Sequence, residues 1–508
     1  MEYIGEWILP GTLGKLFLHL AFVMAGISAW FYFRSGKEEG IRLLKAGRLL
    51  FRLQLVFLIL AIGLLMTLIL NHRFEYMYVW QYTSRDLAFQ YLISAIWAGQ
   101  EGSFLIWALM QGILGLGLMA RAGKWEPQAM AVYAFAQFFL LSALQGISLG
   151  FFELGNSPFV LIRQTVEDTA QSIFARPDYL QFLTDGNGMN PLLENIWMTT
   201  HPPALFLGYA SVLAPFALAA AGLMRREPLA WIPSALPWVI FSILALGIGI
   251  LLGGMWAYVS LTFGGFWAWD PVENASLIPW IAMVASLHLM LVARKRQQMK
   301  LATLWVTFLG YILVLYASFL TRSGILGETS VHAFGENGML VQLLVTLAVF
   351  IAIPVLLMAR NYQALKSQAP SNPSGREFWM TAGIFIMLLS AFQIIFVTSV
   401  PVWNKIFGLN LAPPADPVGY YNKWQMPFAF LISVFMAVSG FLTYQNTPRS
   451  QWIKKVLIAL TISLVLALPL WYIQFRENPA YLLFLFSSVF VTVSSAWLVV
   501  VLIRRSAN

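Results

Sequence analysis

The sequence contains no cysteine among its 508 residues, and charged residues make up only 10% of it. The lack of cysteine excludes disulfides, thiolate metal sites and a cysteine nucleophile on this chain. Soluble domains carry about 25% charged residues, so the low charge excludes an ordinary soluble fold. With 59% hydrophobic residues and a mean hydropathy of +0.73, the composition predicts a polytopic membrane protein.

Long apolar runs follow one another along the chain. A helix of about 20 apolar residues crosses a hydrocarbon core of about 30 Å. We therefore expect an all-α, polytopic transmembrane helix bundle of about thirteen spans, the first of which is retained because no basic segment precedes it. The predicted spans are 12–33, 50–70, 101–120, 129–150, 202–223, 231–252, 274–293, 302–320, 339–359, 379–399, 425–444, 455–473 and 480–503.

The distribution of lysine and arginine predicts the orientation of these spans. With the N-terminus outside and the C-terminus in the cytoplasm, the inner loops hold 22 of the 31 basic residues and the outer side holds 17 of the 22 acidic ones. Basic residues collect in cytoplasmic loops of membrane proteins. Topology thus explains the sequence pI of 9.6, and no basic stripe interleaved with aromatic residues points to a nucleic-acid partner.

Unusual sequence collects in the predicted outer segments, whereas the inner loops are short and plain. The outer segments are 71–100, 151–201, 253–273, 321–338 and 400–424. We therefore expect the function to lie on the outer face of the membrane.

One outer stretch, GGFWAWDPVENASLIPW at 264–280, combines aromatic, acidic and glycine residues. Trp and Tyr collect at membrane interfaces, so an interfacial belt is one explanation of its aromatic residues. The segment DPVEN also reads as a helix start, with Asp270 as N-cap, Pro271 at the first helical position and Glu273 three residues after the cap. Alternatively, Trp256, Phe266, Trp267, Trp269 and Trp280 form the wall of a pocket, which Gly264 and Gly265 allow the backbone to approach.

Two histidines flank this stretch and are predicted to reach the same membrane surface. His201 lies at the outer start of the fifth span, and His332 lies in the outer loop after the eighth. Histidine is an axial ligand of haem iron, and large aromatic rings stack on a flat apolar macrocycle. We therefore expect an outer haem site. Zinc held by the two histidines with Asp270 and Glu273 is an alternative, but it would leave the aromatic wall without a purpose.

His288 lies deep in the seventh predicted span, eighteen residues after Asp270. An ionisable residue within a membrane needs a partner and is a functional candidate. It either binds a buried b-type haem or makes a structural hydrogen bond to another helix. His19, a turn or two into the first span, is expected to pack or to bond another helix.

Four stretches, in this order along the chain, together resemble the CcmF family of haem-handling membrane proteins, which carry a WWD domain. They are IWAGQEGSFLIW at 96–107, NPLLENIWMTTHPPALFLGY at 190–209, GGFWAWDPVENASLIPW at 264–280 and TRSGILGETSVHAF at 321–334. The resemblance covers residues 50–440. It implies a CcmF-like WWD core over residues 1–445, followed by a C-terminal helix pair at 446–508 that lacks the large outer domain usual in the family.

The resemblance implies cytochrome c maturation at a bacterial inner membrane, with the functional face in the periplasm. The chain would act as a haem lyase (holocytochrome c synthase) component with no catalytic residue of its own. Haem would arrive from a CcmE-like chaperone, and its vinyl groups would react with the CXXCH thiols of apocytochrome c, presented with a CcmH-like thiol protein. A haem exporter or carrier without ligation activity is the alternative function.

The resemblance also implies a set of haem-binding residues. His201 and His332 would be the axial ligands of the outer haem, and His288 would bind a separate haem b in the bundle. The WWD platform would comprise Trp256, Gly264, Gly265, Phe266, Trp267, Trp269, Asp270, Pro271, Glu273, Asn274 and Trp280.

Three features depart from the family pattern. Gln100 stands where the family has histidine, and Phe266 replaces the first tryptophan of the WWD core. No histidine follows His332, so the second ligand of the bundle haem is open. A partner chain supplying the missing C-terminal part would provide it, or His19 or another ligand would, or this haem is absent.

Overall fold

The fold is taken from a computed structural model of the full-length chain. The structure describes residues 4–38, 40–148, 150, 153–165, 173–261, 264–327, 329–330, 338–477 and 479–506. Within these ranges the chain is almost entirely helical, with one two-stranded antiparallel hairpin of β1 (Ile147–Ser148) and β2 (Glu153–Leu154).

Sixteen α-helices occur in the described residues. They are α1 (Ile8–Glu38), α2 (Ile41–Leu70), α3 (Met77–Tyr82), α4 (Phe89–Ser94), α5 (Gln100–Arg121), α6 (Glu126–Ser142), α7 (Ile196–Met224), α8 (Ile232–Ser260), α9 (Pro271–Arg296), α10 (Lys300–Arg322), α11 (Leu340–Leu365), α12 (Arg376–Thr398), α13 (Val400–Phe407), α14 (Pro417–Gly440), α15 (Arg449–Gln474) and α16 (Pro479–Ser506).

Eleven of these helices are long and apolar enough to cross a membrane. The prediction of an all-α, multi-pass membrane protein is therefore confirmed. The other two predicted spans are also helices, α6 and α14. At about 1.5 Å per residue, the 17 residues of α6 span only about 25 Å, because the chain turns at Gly146 with φ = +57°. The first half of α14 is polar, with Asn422, Lys423 and Gln425.

The chain forms two compact units. Unit 1 comprises residues 1–280 and 307–361, and unit 2 comprises residues 281–306 and 362–508. Helices α9, α10 and α11 each contribute to both. The predicted functional boundary at 445/446 stays a prediction.

Helix α7 forms the centre of unit 1. It packs against α5, α6 and α8, and every residue from Gly208 to Leu223 is buried. Its sequence there, GYASVLAPFALAAAGL, is apolar on all sides, which is typical of a helix enclosed by others. Helix α1 packs on α2 and α6 at the side of this core.

Segments predicted to lie on the same side of the membrane contact each other in unit 1. On the predicted outer side, the N–H of Met77 donates to the carbonyl of Val160 (2.9 Å), and Tyr179 donates to Glu6 (3.1 Å). On the predicted inner side, Lys124 pairs with Glu227 at 2.5 Å. Since none of these pairings joins an outer segment to an inner one, they agree with the predicted alternation of the helices.

Unit 2 has its own apolar core. Helix α16 packs against α14 and α15, and α12 packs against α14. Ala437, Phe441, Val456 and Phe490 are buried together. The C-terminal helix pair is therefore integrated with α14.

Candidate functional site

A cavity of about 280 Å³ lies in unit 1 where α7, α8 and α10 meet the start of α5. Its volume is just below the range of roughly 300–1,000 Å³ that is typical of small-molecule sites. All four of the sequence stretches singled out above contribute to its lining, through residues such as Trp97, His201, Val272 and Arg322. Segments spread over more than two hundred residues thus converge on one place.

The start of α7 is fixed by a cap and by a substitute hydrogen bond. Asn195 accepts the N–H of Trp197 (2.8 Å). Pro202 lacks an N–H, so it leaves the carbonyl of Met198 without its usual helical donor. The indole N–H of Trp97 donates to that carbonyl instead (2.9 Å). This bond ties the start of α7 to the segment that precedes α5.

His201 lies in the second turn of α7 and lines the cavity. Its Nδ1 lies 2.9 Å from the backbone carbonyl of Gly249 in α8. A carbonyl oxygen only accepts, so Nδ1 carries the proton, and in the neutral ring Nε2 carries the lone pair. Fixing one ring nitrogen in this way is how proteins prepare histidine as a metal ligand.

Gly253 makes room for the His201 imidazole. A Cβ at this position would lie 2.7 Å from Cε1 and 3.1 Å from Nδ1 of the ring. Gly249 has a related role, because its Cβ would lie 2.8 Å from the Cα of Leu205. The two glycines let α8 approach α7 closely enough for the histidine to reach the Gly249 carbonyl.

Trp256 forms the aromatic side of the cavity near His201. Its ring is parallel to the imidazole within 8°, with centroids 6.4 Å apart. Its indole N–H donates to the carbonyl of Leu192 (3.0 Å). Trp256 belongs to α8, which extends eight residues beyond the predicted span.

Arg322, at the end of α10, places a buried guanidinium on the cavity wall. It donates to the hydroxyls of Ser103 and Thr321, both at 3.0 Å. Its guanidinium carbon lies 5.2 Å and 5.5 Å from the ring centroids of Phe104 and Phe206. These contacts hold a positive charge in a fixed position.

Tyr78 supports the stretch that begins α5. Its hydroxyl donates to the carbonyl of Ile96 (2.8 Å) and accepts the N–H of Gly99 (3.1 Å). A Cβ on Gly102 would overlap both the Ile96 carbonyl and the Tyr78 hydroxyl. Burial raises the pKa of Tyr78 well above its usual value, so the hydroxyl remains a donor.

The predicted helix start at 270–273 is confirmed by its hydrogen bonds. Asp270 accepts the N–H of Val272 (2.9 Å), and Glu273 accepts the N–H groups of Ala268 (3.0 Å) and Asp270 (3.1 Å). The hydroxyl of Ser330 also donates to Asp270 (2.8 Å). Asp270 therefore ties the start of α9 to the loop that follows α10.

The backbone just before this cap is strained. Trp269 has φ = +58°, a left-handed conformation that is unfavourable for a bulky residue. Asn274 donates to the Trp269 carbonyl (3.1 Å), and the Trp267 ring meets the Trp269 ring edge-on with centroids 5.9 Å apart. The capping bonds of α9 and this side-chain bond hold the Trp267–Trp269 turn in place.

The other members of the predicted platform lie in different surroundings. Phe266 is exposed and stacks on Tyr258 at 4.3 Å between centroids. Trp280 donates to the carbonyl of Ile243 in α8 (3.0 Å). Among the described residues, Trp256 is the platform aromatic that lines the cavity.

Gly264 and Gly265 face open space, because nothing described lies within 4 Å of a Cβ built on either. Gly264 has φ = +69°, a conformation that favours glycine. The left-handed backbone conformation therefore explains why glycine occupies position 264. Close approach of a haem ring to Gly264 and Gly265 stays a prediction.

The remaining candidate histidines have separate surroundings. His332 lies outside the described residues. His288 in unit 2 has Nδ1 2.8 Å from the carbonyl of Val284 in its own helix. His19 has Nδ1 2.8 Å from Oε1 of Gln145, which lies three residues after the end of α6, so His19 bonds the segment that follows another helix. The prediction that His288 binds haem is untested.

A zinc site finds no support within the described ranges. No group of three or more His, Asp and Glu side chains is arranged there to hold a metal. Asp270 and Glu273 are both engaged in capping α9. The two acids therefore serve the helix start.

The sequence reasoning missed Arg322 and Ser103 as members of the site. Arg322 sits at the predicted outer end of a span, where the positive-inside tendency disfavours a cation. This unusual position of a cation is the feature of the sequence that could have identified Arg322. The partner of Arg322 on α5 could not be read from the sequence, because the two residues are 219 positions apart.

The part of the chain that forms this cavity matches a known protein family. The family model described as "Cytochrome C assembly protein" matches residues 97–327, a range that contains every lining residue of the cavity. The chain is 33% identical over 410 residues to the cytochrome c-type biogenesis protein CcmF of Pseudomonas fluorescens, covering 78% of this chain and 56% of that protein. The chain is also 30% identical to CcmF of Escherichia coli K12, over 78% of this chain and 58% of that one. These matches confirm the resemblance to the CcmF family.

A solved structure supports the fold. The structure of "Cytochrome c Heme Lyase CcmF" matches 99% of this chain and 73% of its own length, with a TM-score of 0.71 and 23% sequence identity. The chain spans between half and two thirds of the length of the curated CcmF proteins given above. This chain therefore shares its fold with the lyase structure, and its own activity is a matter for proposal.

Proposed function

We propose that this CcmF-like protein is a haem lyase component that matures c-type cytochromes. The observation that carries the proposal is the convergence of four separate sequence stretches on one cavity lined by His201, Trp256 and Arg322. The curated relatives and the solved relative are named for cytochrome c biogenesis and haem lyase activity. The proposed substrates are haem and an apocytochrome c.

The residues of the cavity fit haem. His201 has its Nδ1 fixed by the Gly249 carbonyl, which leaves Nε2 as the ligand atom for iron. Trp256 and Phe206 offer apolar faces to a flat ring. The guanidinium of Arg322 supplies a charge that suits a carboxylate such as a haem propionate. We propose His332 as the second axial ligand on the strength of the family resemblance.

In this proposal the role of the chain is to position the haem relative to the thiols of the apocytochrome. The fixed imidazole of His201 and the fixed guanidinium of Arg322 would hold haem at two points and so would restrict how it turns in the cavity. Addition of a substrate thiol across a vinyl group forms a carbon–sulfur bond, and the thiol hydrogen ends on the neighbouring carbon. No oxidant or nucleophile from this chain is needed for that addition, in agreement with its lack of cysteine.

We further propose the partners and location implied by the resemblance. They are a CcmE-like haem chaperone and a CcmH-like thiol protein. The proposed location is a bacterial inner membrane with the cavity on the periplasmic side. His288 is proposed as a ligand of a separate haem b.

A maturation assay tests the function. The protein is expressed with its operon partners in a host that lacks its own lyase, and covalently attached haem on a reporter cytochrome c is measured. We expect His201→Ala and His332→Ala each to abolish the signal. His72→Asn is the matched control, because His72 lies outside the cavity lining and its φ of +50° suits asparagine.

Two results would reject the proposal. Full maturation in both His201→Ala and His332→Ala would show that these histidines do not hold the substrate. Haem transport across the membrane without any attached haem on the reporter would instead favour the exporter or carrier.

A further inference from the structure

A second cavity of unit 1, of about 760 Å³, shares no lining residue with the proposed haem site. It lies between α1, α6 and α11, against the last turn of α7. These helix ends all belong to the predicted cytoplasmic side. We call this cavity the inner crevice. Its volume is within the roughly 300–1,000 Å³ typical of sites for small molecules.

The inner crevice has a floor of small residues. Ala29 and Ala131 line it and are buried. Gly26 and Gly36 also line it, and a Cβ on either would lie 2.9 Å from Phe138 or from the Gln128 amide, respectively. The small side chains therefore let α1 and α6 pack closely while leaving a recess beside them.

The walls of the inner crevice are apolar and open sideways. Phe135, Ile353 and Leu356 line it. Leu356 is 68% exposed and Trp30 is 57% exposed. In a membrane-spanning unit such exposed side chains face lipid tails, so the recess is open to the bilayer.

Two cations stand at one end of the inner crevice. Lys37 is in the last turn of α1, and Arg360 is near the end of α11. The ammonium of Lys37 lies 4.4 Å from the centroid of the Phe33 ring, which places it above the apolar part. Among the ion pairs between side chains that the structure describes, none involves Lys37 or Arg360; Glu38 and Glu39 follow Lys37 in the sequence.

We propose that the inner crevice binds an anionic glycerophospholipid. Its acyl chain would lie among Phe33, Phe135 and Leu356, and its phosphate would be held by Lys37 and Arg360. Basic pockets between transmembrane helices on the cytoplasmic side bind anionic headgroups, and arginine matches phosphate with two parallel hydrogen bonds. A neutral isoprenoid lipid would fill the apolar part but would leave the two cations unused, so the charges favour the phospholipid.

Lipid retention by the purified protein tests this site. The full chain is reconstituted in nanodiscs that contain phosphatidylglycerol and phosphatidylcholine in equal amounts, extracted in mild detergent, and analysed for bound lipid by mass spectrometry. We expect the wild type to retain phosphatidylglycerol selectively. The Lys37→Gln/Arg360→Gln double variant should lose affinity by about 30-fold, since each basic residue contributes on the order of 1 kcal/mol to anionic lipid binding.

Two further variants separate the crevice from the general charge of the inner surface. Arg42→Gln/Lys45→Gln removes two exposed cations from the start of α2, outside the crevice lining, and should keep the selectivity. Leu356→Trp fills the crevice from its exposed rim and leaves the charges intact, so it should also reduce retention.

Several outcomes would overturn the proposal. These are equal retention of the two lipids by the wild type, equal loss in the control pair, or unchanged retention in Leu356→Trp. Displacement of phosphatidylglycerol by a neutral isoprenoid at equal concentration would identify the other occupant. Because no haem-site residue is altered, these results are independent of the proposed lyase function.

Discussion

At the residue scale, the His201 imidazole depends on a single backbone carbonyl. The bond from Nδ1 to Gly249 determines which nitrogen is left for iron. The position of the ring depends in turn on the missing side chain of Gly253. A small change on α8, outside the cavity lining, should therefore alter haem binding.

Gly253→Ala tests this dependence. The added methyl would lie 2.7 Å from Cε1 of the ring, so we expect the imidazole to move away from the Gly249 carbonyl. Haem affinity and cytochrome maturation should fall at least about ten-fold, because misplacing a positioned group by about 1 Å can cost far more. The protein level in membranes, measured by immunoblot, should stay within about two-fold of the wild type, because a single added methyl group has a modest effect on stability.

Gly63→Ala is the matched control for this variant. Nothing lies within 4 Å of a Cβ at Gly63 in the middle of α2, and alanine is the better helix former. Unchanged haem affinity in Gly253→Ala would mean that the ring does not need its present position.

The sequence predicted individual roles where the chemistry is local. The capping positions 270, 271 and 273 lie within four residues of one another along the chain, and the structure confirms them. His19 was expected to pack or to bond another helix, and it bonds Gln145 in the segment just after α6. Arg322 was missed because Ser103, Phe104 and Phe206 reach it from distant parts of the chain.

At the element scale, the start of α9 connects the Trp267–Trp269 turn to the loop after α10. Asp270 caps α9 and also accepts the Ser330 hydroxyl. The capping bond from Val272 and the bond from Ser330 each require an acceptor oxygen on Asp270, and neither requires a negative charge. The cap can therefore be distinguished from a metal-binding carboxylate.

Substitution of Asp270 makes this distinction. We expect Asp270→Ala to lower the free energy of unfolding by about 1 kcal/mol or more, since an N-cap is lost. Asp270→Asn should retain most of the stability, because asparagine is an equally good cap. Thermal unfolding in detergent measures both. If the Asn variant were as unstable as the Ala variant, charge and not capping would explain Asp270.

The start of α7 offers a second test within one element. The Trp97 indole replaces the donor that Pro202 lacks. Trp97→Phe should leave the Met198 carbonyl unpaired, at a cost of about 1–3 kcal/mol. In a Pro202→Ala background the N–H of residue 202 can bond that carbonyl, so the same Trp97 change should cost clearly less.

A double-mutant cycle of thermal unfolding measures this coupling. The single variants, the double variant and the wild type are compared in the same detergent. Additive losses in the cycle would show that Trp97 does not take the place of the missing donor.

The sequence predicted most elements but not their ends. Apolar runs identify the spans because lipid requires them. The extension of α8 to Ser260, which includes Trp256, was missed because the residues after 252 are less uniformly apolar. The short end of α6 depends on the turn at Gly146, a feature that hydropathy does not detect.

At the scale of the whole molecule, the predicted topology places the haem cavity outside and the inner crevice in the cytoplasmic half. Both proposals depend on that orientation. The division into two compact units was not predicted, since it depends on contacts between helices that are far apart in sequence.

The absence of cysteine makes the orientation directly measurable. Single cysteines at Gln181 and Ala369, both exposed, are treated in intact cells with a maleimide reagent that cannot cross membranes. We expect Gln181→Cys to react at once, because its segment is predicted to lie outside. Ala369→Cys should react only after the cells are opened. The reverse pattern would invert the topology.

The measurement that bears most directly on the central claim is the absorption spectrum of haem bound to the purified chain. The variants are made in a His288→Ala background, which removes the proposed ligand of the bundle haem. We expect the protein with His201 intact to bind haem with a histidine-ligated spectrum, His201→Gly to lose this spectrum and most of its affinity, and added imidazole to restore both by entering the space left by the side chain. An identical spectrum and affinity in His201→Gly would show that His201 does not bind the iron.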